Sequence, residues 1–382
     1  MFLVAFSVRK AEHTKEDIQG YPLIERVALY VTISCNLKCK HCYVEGELTA
    51  YESSNTPYFT ILHQVAKLHK PVDITGGEPF FRDDLSEIIY KLIDSGVAIG
   101  SVFTNGTLVV QKINVVDDIL KMTGSIPWYV SLDGNLESHD QLRGNGSYEA
   151  ALSGIMALVK RNQKLRINTM LHSDLSEEPL LCLYETLKNM GIERWRIDGP
   201  FISGAWCSNR QVHSVSHKRQ IELLLHVIKL WLNDDMPFEL ELGHVLKYIK
   251  GALYFLDSYS LSDPVCPCRT LPVWPNGDVT WCQDLLGKKH VIGNVLTDDM
   301  HQIYERYSGY KTIAIGELAN HNDKCKDCPL IKYCGVGCRV MALGANRGYY
   351  GADPNSCDLY RKRLYLPIAN ELRKYAERIR LG

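Results

Sequence analysis

What most constrains the fold of this chain is an alternation of β-branched runs with helical stretches through its first half. "RVALYVTI" (26–33) ends at Ser34 and Cys35, "PVDIT" (71–75) ends at Gly76, and "VAIGSVFTN" (97–105) ends at Gly106. Three more runs follow: "IPWYVSL" (126–132), "LRINTML" (165–171) and "RWRIDG" (194–199). Helical periodicity fills the intervals, as in "FTILHQVAKLHK" and "DLSEIIYKLIDSG", the second closing on a glycine as helices often do. Six strands with five intervening helical stretches predict an α/β fold, a partial (β/α)6 TIM-like barrel of parallel strands. Sites in such sheets gather at the carboxyl ends of the strands. Here those ends carry Cys35, "GGEP" (76–79), "TNG" (104–106) and "SLDG" (131–134), so one site is expected to use all four.

The pattern changes after about residue 200. A long amphipathic segment, "HKRQIELLLHVIKLWLND", precedes a second helical segment around "GHVLKYIKGALYFL". From Leu261 the text is short, turn-rich and punctuated by cysteine, which reads as a small metal-stapled domain. The expected organisation is an N-terminal extension (1–23), the partial barrel (24–235), a helical bridge (236–260), the cysteine-rich domain (261–360) and a C-terminal helix (361–382).

Composition is ordinary apart from the cysteines. A formal net charge of −1 and 23% charged residues give no sign of a disordered chain or of a polycation that coats nucleic acid. The opening "MFLVAFSVRK" is too short to span a bilayer and lacks the cleavage site of a secretory signal. A cytoplasmic protein with no membrane or nucleic-acid partner is expected, and clustered cysteines then read as metal ligands rather than disulfides. Of thirteen cysteines, three stand at 35, 39 and 42 and eight lie between Cys266 and Cys357. Cys182 lies on an apolar helical face and is expected in the core. Cys207, after the sixth strand, is expected in core or loop packing.

"CNLKCKHCY" (35–43) spaces three cysteines as C-x3-C-x2-C. Three thiolates can hold three irons of a 4Fe-4S cube and leave the fourth without a protein ligand, which is a place to do chemistry. The other reading is a zinc site completed by His41 or a distant residue. With Tyr43 behind the triplet and "GGEP" at the end of the next strand, the sequence resembles the radical S-adenosylmethionine (SAM) superfamily over about residues 24–235. The resemblance implies that the open iron chelates the amino and carboxylate groups of SAM. The cluster at Cys35, Cys39 and Cys42 would then deliver one electron, and the resulting 5'-deoxyadenosyl radical would abstract a substrate hydrogen.

By the same resemblance Gly76, Gly77 and Glu78 match the segment that receives the methionine amino group, the glycines letting backbone approach the ligand. Ser131 and Asp133 fit ribose or carboxylate contacts, although "DG" also makes a tight turn. Arg143 suits the carboxylate through its fork of donors, a surface ion pair being the alternative. Thr104 and Asn105 resemble cofactor-side residues, and "NG" is also a turn pair. Adenine would lie against Tyr43 and the backbone of Thr169 to Leu171.

"CKDCPLIKYCGVGC" places Cys325, Cys328, Cys334 and Cys338 at C-x2-C-x5-C-x3-C, with Cys357 beyond. Upstream, "CPCRTLPVWPNGDVTWC" holds Cys266, Cys268 and Cys282. This is similar to the SPASM domain, the auxiliary-cluster module of radical SAM enzymes that mature peptides and proteins. The resemblance implies an outer cluster on Cys325, Cys328, Cys334 and Cys357, with Cys338 joining Cys282 and the upstream cysteines around an inner one. The C-x-C at Cys266 and Cys268 is closer than the family's usual spacing, so either both ligate or one does. A pair of structural zincs is the alternative for the domain. Asp284 is a candidate base beside the inner cluster, against the reading of a solvated loop carboxylate.

The function expected is oxidation or cross-linking of a residue in a ribosomally made peptide or a protein, with the auxiliary clusters taking the second electron. The second reading is a small-molecule substrate such as a tetrapyrrole, sugar or antibiotic precursor. An external one-electron donor such as flavodoxin or ferredoxin is implied. The N-terminal stretch is short for a peptide-recognition domain, so leader binding would fall to another surface or a separate recognition protein. If all three sites are 4Fe-4S cubes, anaerobically purified protein should hold about twelve irons with matching sulfide, and replacing Cys35, Cys39 and Cys42 by alanine should remove about four. Stoichiometric zinc without sulfide would overturn this.

Overall fold

The computed structural model describes residues 21–43, 58–243, 259–285 and 287–381. Seven strands run parallel and in chain order: β1 (Arg26–Tyr30), β2 (Val72–Thr75), β3 (Ile99–Thr104), β4 (Pro127–Ser131), β5 (Lys164–Met170), β6 (Arg194–Asp198) and β7 (Glu239–Leu242). Helices cross between them: α1 (Tyr58–Ala66), α2 (Leu85–Asp94), α3 (Ile113–Thr123), α4 (Leu136–Arg143), α5 (Ser147–Val159), α6 (Glu177–Met190), α7 (Trp206–His213) and α8 (His217–Asn233). All six strands expected from the sequence are present.

The two-residue period of a strand explains how the sheet divides its faces. In β4, Trp128 and Val130 are buried in the hydrophobic core while Tyr129 and Ser131 turn to the opposite side. In β5, Leu165 and Ile167 belong to the core while Asn168 and Met170 alternate with them. The helices cover the apolar face with their own apolar stripes: Leu85, Ile88, Ile89 and Leu92 of α2, and Leu180, Leu183, Tyr184 and Leu187 of α6. The inward face is left polar and aromatic. Phe103 stacks on Tyr129 with ring centroids 4.3 Å apart, and Arg166 donates to the Tyr129 hydroxyl at 2.8 Å.

The seventh strand lies where a helical bridge was expected, so that part of the bridge is corrected to strand. Leu240 and Leu242 of "ELEL" enter the core, whereas Glu239 and Glu241 reach Arg194 at 2.8 and 3.3 Å across the pairing. Cross-strand ion pairs on one face and burial on the other favour extended pairing here. The second helical segment expected near residues 243–256 lies, apart from Gly243, outside the described residues.

The C-terminal region joins the same sheet. β8 (Thr270–Val273) pairs parallel with β1, and β9 (Asp278–Thr280) and β10 (Val291–Asn294) extend it antiparallel, giving the order β10-β9-β8-β1-β2-β3-β4-β5-β6-β7. Buried Trp274 stacks on Tyr30 of β1 at 3.9 Å. Helices Met300–Lys311, Ile315–Asn320, Ile331–Cys334, Arg339–Gly344, Pro354–Arg361 and Leu366–Leu381 follow in the C-terminal region. No described helix is long and apolar enough to cross a membrane. Cys182, expected in the core, and Cys207, expected in core or loop packing, are both exposed. On α6 the core positions are Leu180, Leu183, Tyr184 and Leu187, which turns residue 182 to solvent.

Candidate active site

A cavity of about 570 Å³ opens at the carboxyl ends of the strands. Cys35, Cys39, Cys42 and Tyr43 line it from the loop after β1, Gly76 and Gly77 from β2, Thr104 and Asn105 from β3, Ser131 from β4, and Arg143 from the end of α4. The four strand ends singled out in the sequence therefore converge on one site. Asp284 lines it from the C-terminal region.

The cysteine loop is held from several sides. Gly77 N–H donates to Thr32 O at 2.8 Å and Glu78 N–H to Ser34 O at 2.9 Å, so the "GGEP" segment clamps the start of the loop. Its glycines are required by this contact: a Cβ on Gly77 would lie 2.4 Å from both Ile33 O and Ser34 O. The close approach read from the sequence as glycine against ligand is, at this position, also glycine against the cysteine loop. Further along, Lys40 N–H donates to Leu142 O at 2.9 Å, and Asn209 Nδ2 donates to Lys40 O at 2.8 Å. Ala205 N–H closes the far end on Cys42 O at 2.8 Å.

Donors point at the sulfurs. Leu37 N–H lies 3.4 Å from Cys35 Sγ, Asn105 Nδ2 lies 3.7 Å from the same atom, and Arg143 Nη1 lies 4.0 Å from Cys39 Sγ. Burial pushes the Cys39 thiol up to about 12 even with Arg143 beside it, and burial raises Cys35 as well. A bound metal is what ionises thiols in such surroundings. Among the described residues no three His, Cys, Asp or Glu side chains converge as ligands of one ion. A cube takes its thiolates on separate irons, so it does not ask for that convergence. The loop also carries His41, whose buried Nδ1 has no partner and whose ring burial drives down to about 3, leaving a neutral imidazole on the wall.

Three expected contacts stand behind the wall instead of on it. Glu78 is fully buried, and its carboxylate accepts from Thr104 Oγ1 at 2.7 Å, Asn105 N–H at 2.7 Å and Phe80 N–H at 3.1 Å. It shapes the "TNG" turn that places Asn105. Asp133 is likewise fully buried, accepting from Arg143 Nε and from Met170 N–H. Burial would raise its carboxyl, but the adjacent Arg143 charge holds it well below the usual range. Leu171 has its side chain in the core and gives its N–H to Asp198 O at 2.8 Å, so only Thr169 and Met170 of that stretch reach the cavity. Arg143, the partner of a buried aspartate, has its Nε engaged and one end of its fork toward Cys39.

The sequence reading missed Asn168, Phe103, Tyr129, Arg196 and Asp198, which all line the cavity. Asn168 Oδ1 is buried without a hydrogen-bond partner and suits a ligand hydroxyl or amine. Strand parity was the available signal, since Asn168, Tyr129 and Phe103 alternate with core residues. Arg196 pairs with Asp198 at 2.7 Å and reaches Glu241 at 3.8 Å.

The second cysteine group separates in space. Cys325, Cys328, Cys334 and Cys357 line one small cleft. Cys266, Cys268 and Cys282 form another neighbourhood, close enough that each charge would act on Cys282, with Asp284 Oδ2 3.9 Å from the Cys282 sulfur. Cys338 lines neither the cleft nor the cavity; its N–H donates to buried Asp353 at 2.8 Å.

Fold and site together define a radical SAM enzyme, and the chain belongs to that superfamily: the Radical SAM superfamily model matches residues 29–187, and the SPASM model, an iron-sulfur cluster-binding domain, matches 266–329. SAM and iron-sulfur clusters are thus its cofactors. Among curated relatives it is 30% identical to the pre-heme d1 synthase of Dinoroseobacter shibae over 85% of this chain and 84% of that one. It is 26% identical to the AdoMet-dependent heme synthase of Methanosarcina barkeri over 86% and 95%. Among solved structures, anSMEcpe with bound AdoMet superposes with a TM-score of 0.71 at 17% identity, covering 92% of this chain and 99% of that one.

Two outcomes follow from this geometry. If the triplet holds a 4Fe-4S cube, Gly77→Ala should displace the cysteine loop and cost about four irons, read by iron and sulfide analysis; full iron content would show that the clamp is dispensable. Burial pushes the Glu78 carboxyl from 4.5 up to about 7 against the pull of its three donors. The folded protein then keeps a proton that the unfolded chain has released, so this contribution to stability is full below about 4.5 and is lost as pH rises through about 7. Glu78→Gln should flatten the decline in unfolding free energy across that window, measured by denaturant titration at several pH values; parallel profiles would contradict it.

Proposed function

We propose that this enzyme abstracts hydrogen from a residue of a ribosomally made peptide or protein, leading to oxidative modification or cross-linking. In this reading Cys35, Cys39 and Cys42 hold the SAM-binding cluster, while Cys325, Cys328, Cys334 and Cys357 hold an outer auxiliary cluster. Cys266, Cys268 and Cys282, joined by Cys338, hold an inner one. When bound, the first cluster and SAM supply the one-electron reductive cleavage that yields methionine and a 5'-deoxyadenosyl radical. The chain's own residues then position and shield. Gly76, Gly77 and Arg143 would hold the methionine end, Ser131 and Asn168 would offer polar contacts to the ribose, and Tyr43 with Thr169 and Met170 would border the adenine. Thr104 and Asn105 shape the wall beside Cys35. Asp284, which lines the cavity from the C-terminal region, would take a proton from the substrate. Glu78, Asp133 and Leu171 act by holding these groups in place.

The observation that carries the substrate class is the pairing of charge in the cavity. Arg196 is engaged with Asp198 and Glu241, and Arg143 with Asp133. Around them the wall offers aromatic faces at Phe81, Phe103, Tyr129 and Phe201 and neutral amides at Asn105 and Asn168. That surface suits an uncharged side chain or peptide backbone. It offers few free cations to a substrate bearing several carboxylates; among the described lining residues, exposed Lys38 is the cation without a carboxylate partner. The second reading, a tetrapyrrole, is favoured by relatives named as heme and pre-heme d1 synthases that align along most of their length.

Reconstituted enzyme with SAM and a strong reductant should release 5'-deoxyadenosine and methionine, and the variant lacking Cys35, Cys39 and Cys42 should not. Adding iron coproporphyrin III should leave the 5'-deoxyadenosine yield and the Soret band of the porphyrin unchanged. A Soret shift together with stoichiometric stimulation would transfer the substrate to the tetrapyrrole class.

A further inference from the structure

Lys311, at the end of the helix Met300–Lys311, is a buried cation with an unusual set of neighbours. It is 3% exposed, and its Nζ donates to Cys266 Sγ at 3.3 Å. Beneath it lies the ring of Tyr307, itself fully buried, with Nζ 5.2 Å from the ring centroid. Among the described residues no carboxylate forms an ion pair with it; the groups able to carry negative charge that act on it most strongly are Cys266, Cys268, Cys282 and Tyr307, with the Tyr349 hydroxyl also within its reach. Tyr307 spends its hydroxyl on Thr270 O at 3.1 Å. A buried ammonium that lacks an anion is costly, because its hydration is lost and nothing replaces it. The buried cation and the three cysteines therefore account for one another: their thiolates, drawn together on a cluster, are the counter-charge that the lysine otherwise lacks.

We propose that Lys311 is the resident counter-ion of the inner auxiliary cluster and that its ammonium raises the reduction potential of that cluster. This rests on the reading that Cys266, Cys268 and Cys282 hold one. The physical basis is Coulombic. Reduction adds one electron and no proton, so the centre gains one negative charge, and a fixed positive charge in a low-dielectric pocket stabilises the reduced form more than the oxidised. The Nζ donation to Cys266 Sγ works in the same direction, since hydrogen bonds to cluster sulfurs are among the features that set the potential. Lys311 is thus a positioning and tuning residue and is not one of the residues that line the cavity. Removing its charge would leave the architecture of the triplet untouched while making the inner cluster a poorer electron acceptor.

The test is an EPR-monitored redox titration of anaerobically reconstituted full-length protein, with iron and sulfide counted on every sample. Lys311→Met should keep the iron content of the wild type. One auxiliary signal should need a more negative potential for reduction, its reduced-to-oxidised ratio at fixed potential falling about tenfold, which is about 59 mV for one electron. Lys311→Arg, which keeps the charge, should stay near the wild-type midpoint. An unchanged or raised midpoint in Lys311→Met with full iron overturns the proposal. If Lys311→Met loses iron, Lys311→Gln is titrated in its place. Loss of iron in both neutral variants with retention in Lys311→Arg supports the counter-ion role, and loss in all three overturns it, because packing rather than charge is then what the residue supplies. Cys282→Ala separates the two levels of the argument: if it removes neither iron nor an EPR signal, there is no cluster at these cysteines and the cluster reading itself fails.

Discussion

The structure depends on β1 being paired along both of its edges. β2 lies on one side and β8 on the other, both parallel, so a strand that would begin an open barrel is instead an interior strand of a ten-stranded sheet. Backbone pairing on both sides leaves little freedom at its carboxyl end, where the cysteine loop begins. The loop inherits that rigidity and adds to it through Gly77 and Glu78 on one flank and Ala205 on the other. In the proposed reading, where three cysteines alone would hold the cluster, pre-organisation of this kind matters, since a loose loop would lose its geometry at the open iron.

The same strand couples the two cysteine-bearing regions. Tyr30 stacks on Trp274, shares a hydrogen bond with the Tyr43 hydroxyl at 3.0 Å, and lies 3.3 Å from Gln283 O. Tyr43 follows the triplet directly, and Gln283 follows Cys282. One buried tyrosine thereby ties the loop of the first cysteine group to that of the second, and this brings Gln283 and Asp284 to the rim of the cavity. The C-terminal region is in this sense part of the active-site wall.

Charge in the interior is paired in some places and met by backbone in others. Asp133 and Arg143 neutralise each other beside the cysteines, and Arg196 sits between Asp198 and Glu241. Arg339, nearly inaccessible, instead donates to the carbonyls of Tyr349, Gly351 and Val336, drawing together the segments on either side of Cys338. A guanidinium with five donors can organise a turn-rich region that has little regular secondary structure of its own.

Much of this was legible in the order of the residues. Strand and helix periodicity is local, so all six expected strands are found, and cysteine spacing reports chemistry directly because thiolates a few residues apart can meet on one centre. β7 was missed because four residues carry too short a period and its support comes from Arg194, some forty-five positions away. Which polar groups at the strand ends touch a ligand was not legible either. Glu78 and Asp133 were marked by their place in "GGEP" and "SLDG", yet both turn inward, because buried carboxylates are needed to satisfy the donors of the neighbouring turn and of Arg143. Asn168 carried no motif and faces the cavity through strand parity alone. The sequence by itself determined the ligand chemistry and the alternating elements, since both are written in short-range spacing. Only the tertiary structure decided which residues form the wall, which stand behind it and which cysteine has a lysine for a neighbour, since those depend on contacts between segments far apart in the chain.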